Sequence, residues 1–202
     1  MITDTAIQNK YSHYQIARLA IKGRADIIQL RDKSLSTSEL IQVAIRIAAL
    51  CRKHNVTFLI NDRVDVALVS DADGVHLGLE DIPIKEARKL LGKNKIIGGT
   101  AHSLAEAKKC EKEGADYVGY GHIYPTKTKF KPEKPKGTQQ LKSIVSKISV
   151  PVIAIGGISP VNIGKVTATG VHGAAVIGAV LNSSDPISTL KKLRKEIYVR
   201  KK

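Results

Sequence analysis

Residues 29–33 read QLRDK, and alternation along a strand sends Gln29, Arg31 and Lys33 to one side of the chain. Three long polar side chains in a row make a poor core but a good anion clamp. Carboxylates follow at Asn61-Asp62-Arg63 and Glu80-Asp81. Two carboxylates on neighbouring strand ends, facing cations, are what a magnesium–diphosphate site requires, because Mg²⁺ takes few protein carboxylates and completes its octahedron with water and phosphate oxygens. Each also has a plain structural use: Asp62 as a cap for a helix starting at Arg63, Asp81 as a turn residue before Pro83. Thr100 and His102 follow another apolar run. A long polar stretch, GHIYPTKTK (121–129), brings His122, Thr126, Thr128 and Lys129. Gly156-Gly157 and Ile177-Gly178 close two later runs. Glycines there let backbone N–H groups and a short helix N-terminus approach a phosphate, although Gly156-Gly157 also serves as a mere tight turn.

The elements that must position these residues are legible as an alternation. Strand-like runs at Ile27–Arg31, Thr57–Asn61, Gly74–Leu77, Lys95–Gly99, Tyr117–Gly121, Val152–Ile155 and Ala174–Ile177 are separated by amphipathic segments, and Ile2-Thr3-Asp4 reads as the tail of a first strand. Helices are expected at Ser38–His54, Pro83–Leu91, Leu104–Glu113, Leu141–Lys147 and Pro160–Thr169. Ser103 and Ser159-Pro160 supply starts, and Gly92, Gly114 and Gly170 supply stops. Eight strand–helix units without a linker call for a parallel sheet, and eight favour closure into a (β/α)8 barrel spanning residues 1–202 as one domain. In that fold the residues just after the strands share one face, where active sites gather.

Composition narrows the function classes. The chain carries 33 Lys and Arg against 18 Asp and Glu, a formal charge of +15. Nucleic acid, small anions and a solvated basic surface all suit that balance. The basic stretches 127–136 and 191–202 lack the aromatic stacking positions of a single-strand binder, so no nucleic-acid partner is expected. The longest apolar runs are strand-sized, which leaves membrane spanning out, and no signal-peptide pattern opens the chain. Cys51 and Cys110 have neither metal nor redox spacing, and a reduced cytoplasmic setting is expected. A homo-oligomer is left open.

Six segments together resemble thiamine phosphate synthases: QLRDK (29–33), NDRVDVAL (61–68), DGVHLGLED (73–81), GADYVGYG (114–121), PTKTK (125–129) and VIAIGGI (152–158). The resemblance runs from about Ile2 to the last helix and implies a (β/α)8 barrel. It implies a reaction too: hydroxymethylpyrimidine diphosphate plus thiazole phosphate gives thiamine phosphate and pyrophosphate. By that likeness Asp62 and Asp81 hold Mg²⁺, while Arg31, Lys33, Asn61 and Lys129 hold the diphosphate. Gln29 and Thr100 face the pyrimidine. Thr126 and Thr128, with backbone at Gly157, Ile177 and Gly178, hold the thiazole phosphate. Three residues depart from the pattern: Thr100 and Gly178 stand where serine is usual, and His122 stands where synthases have proline. The related thiazole tautomerases have histidine there, in a proton-transfer role suited to imidazole. Tautomerase activity and a non-catalytic regulatory role are therefore the alternatives, the first carried by His122 and opposed by the retained diphosphate set.

Overall fold

The computed structural model describes residues 1–126, 128 and 133–199. Eight parallel strands lie in sequence order: β1 (Ile2–Thr3), β2 (Ile27–Leu30), β3 (Thr57–Asn61), β4 (Gly74–Leu77), β5 (Ile96–Ala101), β6 (Tyr117–Gly121), β7 (Val152–Ile155) and β8 (Gly173–Ala175). The Ile2 N–H donates to the Val176 carbonyl at 3.1 Å, joining the two edges into a (β/α)8 barrel. The connecting helices are α1 (His13–Lys22), α2 (Thr37–Lys53), α3 (Val64–Val69), α4 (Ile84–Leu91), α5 (Leu104–Lys112), α6 (Gly137–Val145), α7 (Ile163–Thr167), the short α8 (Gly178–Leu181) and α9 (Pro186–Val199).

Two features of the sequence make the long helix α2. In α2, Ser36 accepts from the Glu39 N–H while the Glu39 carboxylate reaches back to the Ser36 N–H. Leu40, Ala44, Ile47, Ala48 and Cys51 then fall on one buried face. Burying a Leu or Ile is worth roughly 2 kcal/mol, against about 1 kcal/mol for a cap. The face therefore docks the helix, and the cap only sets where it begins. Gly92, Gly114 and Gly170 do end helical runs, with φ of 74°, 91° and 82°.

Some expected boundaries move. Strand β5 extends to Ala101, so Thr100 lies within the strand rather than after it. Helix α7 begins at Ile163, not Pro160, because Asn162 turns its side chain back to the Ser159 N–H and holds residues 159–162 as a turn. Helix α6 starts at Gly137, four residues earlier than its apolar periodicity suggests. The first strand pairs through only two residues, and the Gln29 N–H bonds to the Met1 carbonyl at 2.9 Å.

Outward-facing strand residues such as Ile28, Ile60, Val75, Ile97, Val118 and Val152 are completely buried under the helices. Inward, large and small residues alternate between neighbouring strands. His76 is level with Gly98, Thr100 with Gly119, Ile153 with Gly173, and Ile155 with Ala175. The glycines keep the barrel hollow. A cavity of about 600 Å³ runs along its interior, bordered by Thr126, Gly157 and Gly178 at one end and by Asp26, Arg194 and Tyr198 at the other.

A buried polar cluster, unforeseen from the sequence, ties β1, α1 and the loop after β2 together. His13 Nε2–H donates to Asp32 at 2.8 Å, and the Thr3 hydroxyl meets His13 Nδ1 at 2.7 Å. The other Asp32 oxygen accepts from the N–H groups of Ser34 and Leu35, both at 2.7 Å, while the Arg31 N–H reaches the Thr3 hydroxyl at 3.3 Å. Lys33 is thus carried between two anchored residues. Burial opposes the charge on Asp32, but the bonds from His13, Leu35 and Ser34 outweigh it and hold its carboxyl far below the usual range. A folded-state value below the unfolded one, about 3.9, stabilises the fold fully above that pH and loses effect as pH falls below it. Asp32→Ala is expected to cost on the order of 3 kcal/mol at pH 7. Urea midpoints compared at pH 7 and pH 3 check this, with the gap between variant and wild type narrowing in acid.

Candidate active site

The mouth of the barrel, at the carboxyl ends of the strands, gathers the polar residues singled out from the sequence. Gln29 sits on β2 facing inward, 7% exposed, and its Oε1 is buried without a hydrogen-bond partner among the described residues. An orphaned acceptor aimed into a cavity is costly unless a ligand supplies a donor. Arg31, one alternation further, pairs with Asp4, a carboxylate 2% exposed at the end of β1. The sequence marked Asp4 only as the tail of the first strand; its pairing with Arg31 follows from β1 lying beside β2. Its pairing holds Arg31 against the cavity wall.

Lys33 lies mostly in solvent and pairs with Asp62. Asp62 takes a left-handed backbone, φ 65°, which aspartate tolerates better than most residues. It does not cap α3: that cap position belongs to Arg63, which makes no side-chain cap bond. Asp62 instead faces Asp81 from the neighbouring strand end. Asp81 bends back to accept from the Gly78 N–H at 2.6 Å, a turn that ends before Pro83. Burial and then the adjacent Asp62 carboxylate push the Asp81 carboxyl above its usual range, with Gly78 and Lys33 acting against them. Two carboxylates side by side leave a local excess of negative charge that a cation would relieve. Asn61, at the end of β3, borders the same cavity.

Deeper in the barrel, Thr100 projects inward from β5 and its hydroxyl lies 2.9 Å from His76 Nε2; His76 Nδ1 lies 2.9 Å from the Tyr117 hydroxyl. Burial lowers the His76 pKa to about 4, so the ring is neutral at pH 7. Neither His76 nor Tyr117 stood out as a site residue in the sequence. The signal was available in GVHL (74–77), where a histidine alternates with apolar residues in a buried strand.

On the far side of the mouth, Gly156 and Gly157 have φ of 95° and 65°. A Cβ on Gly156 would lie 2.3 Å from His122, and one on Gly157 would lie 2.5 Å from the Pro125 carbonyl. Glycine is required here so that the loop after β6 can press onto the loop after β7. That packing buries His122, 7% exposed, and sets Thr126 and Thr128 along the cavity edge. The Thr128 hydroxyl stands 3.0 Å from where a Cβ on Gly178 would be, at the start of α8. Ile177 precedes it and lines the same hollow. His102 borders the same cavity, its Nδ1–H donating to the Gly121 carbonyl at 2.6 Å. Lys127 and Lys129 lie outside the described residues.

The thiols stand apart. Cys51 and Cys110 lie on the buried faces of α2 and α5, and burial raises both, Cys51 to about 12. Protonated, enclosed sulfurs are no nucleophiles. The arrangement is a polar mouth with two carboxylates on one wall and two glycine turns on the opposite one.

Known proteins share much of this sequence and fold. The family model for thiamine monophosphate synthase matches residues 1–180. The chain is 47% identical over 175 residues to a thiamine-phosphate synthase of Chlorobium phaeobacteroides, covering 87% of this chain and 85% of that one. It is 46% identical over 185 residues to one of Clostridium novyi, covering 92% and 91%. Among solved structures, a thiamine phosphate pyrophosphorylase from Pyrococcus furiosus superposes with a TM-score of 0.89 at 40% identity, over 98% of this chain and 94% of the other. A 3-hexulose-6-phosphate synthase, at 22% identity and a TM-score of 0.65, shares the fold alone. The chain belongs to the thiamine monophosphate synthase family.

Proposed function

We propose that this protein joins hydroxymethylpyrimidine diphosphate to thiazole phosphate, forming thiamine phosphate and releasing pyrophosphate. The observation that carries the reading is the pairing of Asp62 and Asp81 beside Lys33 and Arg31, opposite the Gly156-Gly157 and Gly178 turns. One wall suits a diphosphate with its metal, the other a monophosphate.

The thiazole ring nitrogen forms a bond to the pyrimidine's exocyclic carbon while that carbon's bond to the diphosphate oxygen breaks. The nucleophile needs no deprotonated side chain, in keeping with the inert cysteines. Charge grows on the leaving oxygens, and fixed cations aimed at them lower the barrier. Arg31, Lys33 and Asn61 bind those oxygens, and the family resemblance adds Lys129. Gln29 and Thr100 hold the pyrimidine end. Thr126, Thr128 and the backbone N–H groups at Gly157, Ile177 and Gly178 hold the thiazole phosphate. Asp62 and Asp81 fit Mg²⁺, being two oxygen donors that repel each other without it and leave coordination positions for phosphate and water. Mg²⁺ there supplies Lewis-acid stabilisation of the leaving group. Small anions in the cytoplasm, not nucleic acid, are the partners this chemistry requires. Among the described residues no helix is long and apolar enough to cross a membrane.

A second reading, isomerisation of a thiazole carboxylate phosphate, is favoured by His122 alone, which borders the cavity on the side of Thr126 and Gly157. It assigns no work to the two carboxylates or to Lys33.

Purified protein supplied with both precursors and Mg²⁺ is expected to release thiamine phosphate and pyrophosphate in equal amounts; no product at saturating substrate overturns the proposal. Asp62→Ala is expected to lower coupling by about 100-fold or more, as loss of a preorganised electrostatic contact does. Near-normal turnover by that variant would remove Asp62 from the site. His122→Ala is expected to keep coupling within about tenfold while abolishing any isomerisation, a split read by running both assays on the same preparation.

A further inference from the structure

Asn162 stands at the cap position of α7 but makes no side-chain cap bond to that helix. Asparagine is among the residues most favoured for such a bond. Its amide is turned back onto the preceding loop instead. Oδ1 accepts from the Ser159 N–H at 2.9 Å, and Nδ2 donates to the Gly157 carbonyl at 2.9 Å. A backbone N–H only donates and a carbonyl only accepts, so these two partners fix which way round the amide sits.

Three successive carbonyls at the end of β7 are thereby taken by protein donors. The Ile155 carbonyl accepts from the Ile123 N–H at 3.0 Å, that of Gly156 from the Tyr124 N–H at 3.1 Å, and that of Gly157 from Asn162. In a planar trans peptide the N–H points opposite to the C=O of the same unit. With the Gly157 carbonyl held by Asn162, the Ile158 N–H points away from Asn162. Gly157 and Ile158 line the cavity, whereas Asn162 does not, so the amide grips the turn from behind. The Ile158 N–H has no hydrogen-bond partner among the described residues. Ile158 is 3% exposed, and an enclosed N–H without an acceptor is rare in a folded protein.

We propose that Asn162 is a positioning residue, which turns the Gly157–Ile158 peptide so that the Ile158 N–H donates to the phosphate of the thiazole substrate. The identity of the anion rests on the synthase reading; the orientation of the peptide does not. Gly157, at φ 65°, has the freedom to let this peptide turn over. Without the Nδ2 bond its carbonyl oxygen is released toward the cavity, where an acceptor repels an anion. Asn162 therefore acts through the peptide and touches no ligand. The helix cap is given up for the turn, which is why α7 starts late.

Amide NMR of the wild-type protein titrated with inorganic phosphate reads the donor directly. The Ile158 N–H signal is expected to move downfield and saturate; an Ile158 signal that stays in place overturns the proposal. In Asn162→Ala the phosphate concentration at half-shift is expected to rise about tenfold, equivalent to ~1.4 kcal/mol. In steady-state kinetics the same variant should raise KM for thiazole phosphate about tenfold, with kcat and KM for the pyrimidine diphosphate within about twofold. A merely structural asparagine would weaken both substrates alike, and that result, or an unchanged KM for thiazole phosphate, would refute the positioning role. Asn162→Asp keeps the bond from Ser159 but loses the donor to Gly157, so it should be at least as impaired; wild-type behaviour would likewise refute it. The wild-type titration decides even if the variants do not fold. A protein whose Ile158 signal answers phosphate but which makes no thiamine phosphate would refute the synthase reading and leave the peptide's role standing.

Discussion

Everything at this site depends on the barrel being left hollow. Eight inward-facing strands fill a small barrel with layers of branched side chains when those residues are large. Here the neighbours of the largest inward residues are glycine or alanine: Gly98 beside His76, Gly119 beside Thr100, Gly173 beside Ile153. Removing those side chains costs apolar contact in the middle of the molecule. The outer layer between strands and helices compensates, since Ile28, Ile60, Val75, Ile97 and Val118 are completely buried there. Stability is thus supplied outside the barrel and ligand space inside it.

Electrostatics at the mouth follow the same separation. Arg31 and Lys33 are not loose cations but are matched by Asp4 and Asp62. The Arg31 pair is largely enclosed, so its geometry is held tightly, while Lys33 is mostly exposed and its pair adds little stability. The mouth thus presents one guanidinium held in place and one mostly exposed ammonium. The His13–Asp32–Thr3 cluster is what keeps both on the same short segment. It grips the backbone on either side of Lys33 and leaves the side chain out.

Much of the barrel was legible because many strand–helix units declare themselves locally, by an apolar run and, in several, a serine cap or a glycine stop. The mouth residues were legible for a related reason: alternation in QLRDK and the positions of Asp62 and Asp81 after strands place them on one face. Boundaries were less so. Thr100 and Ala101 continue β5 although their neighbours read as a loop, because pairing with Gly119 and Tyr120 on β6 extends the strand. Pro160 looked like a helix start, but Asn162 bonds its own preceding turn and delays α7. What stayed hidden were partnerships across the barrel. Asp4 meets Arg31, and Thr3 meets His13 beside Asp32, only when β1 pairs with β2, and His76 meets Tyr117 only when three strands align.

Position 178 shows how one substitution sits within such a framework. Synthases resembling this chain usually place serine there, and glycine removes a hydroxyl from the edge of the cavity. A Cβ at that position would stand 3.0 Å from the Thr128 hydroxyl, tight enough that Thr128 would have to retreat by a few tenths of an ångström. With glycine, Thr128 closes up against the start of α8 and brings its own hydroxyl to the space. Backbone N–H groups at Ile177 and Gly178 are unaffected by the exchange, since they are set by the path from β8 into the helix. That wall of the cavity therefore keeps a hydroxyl beside a backbone donor, supplied by a different strand's loop.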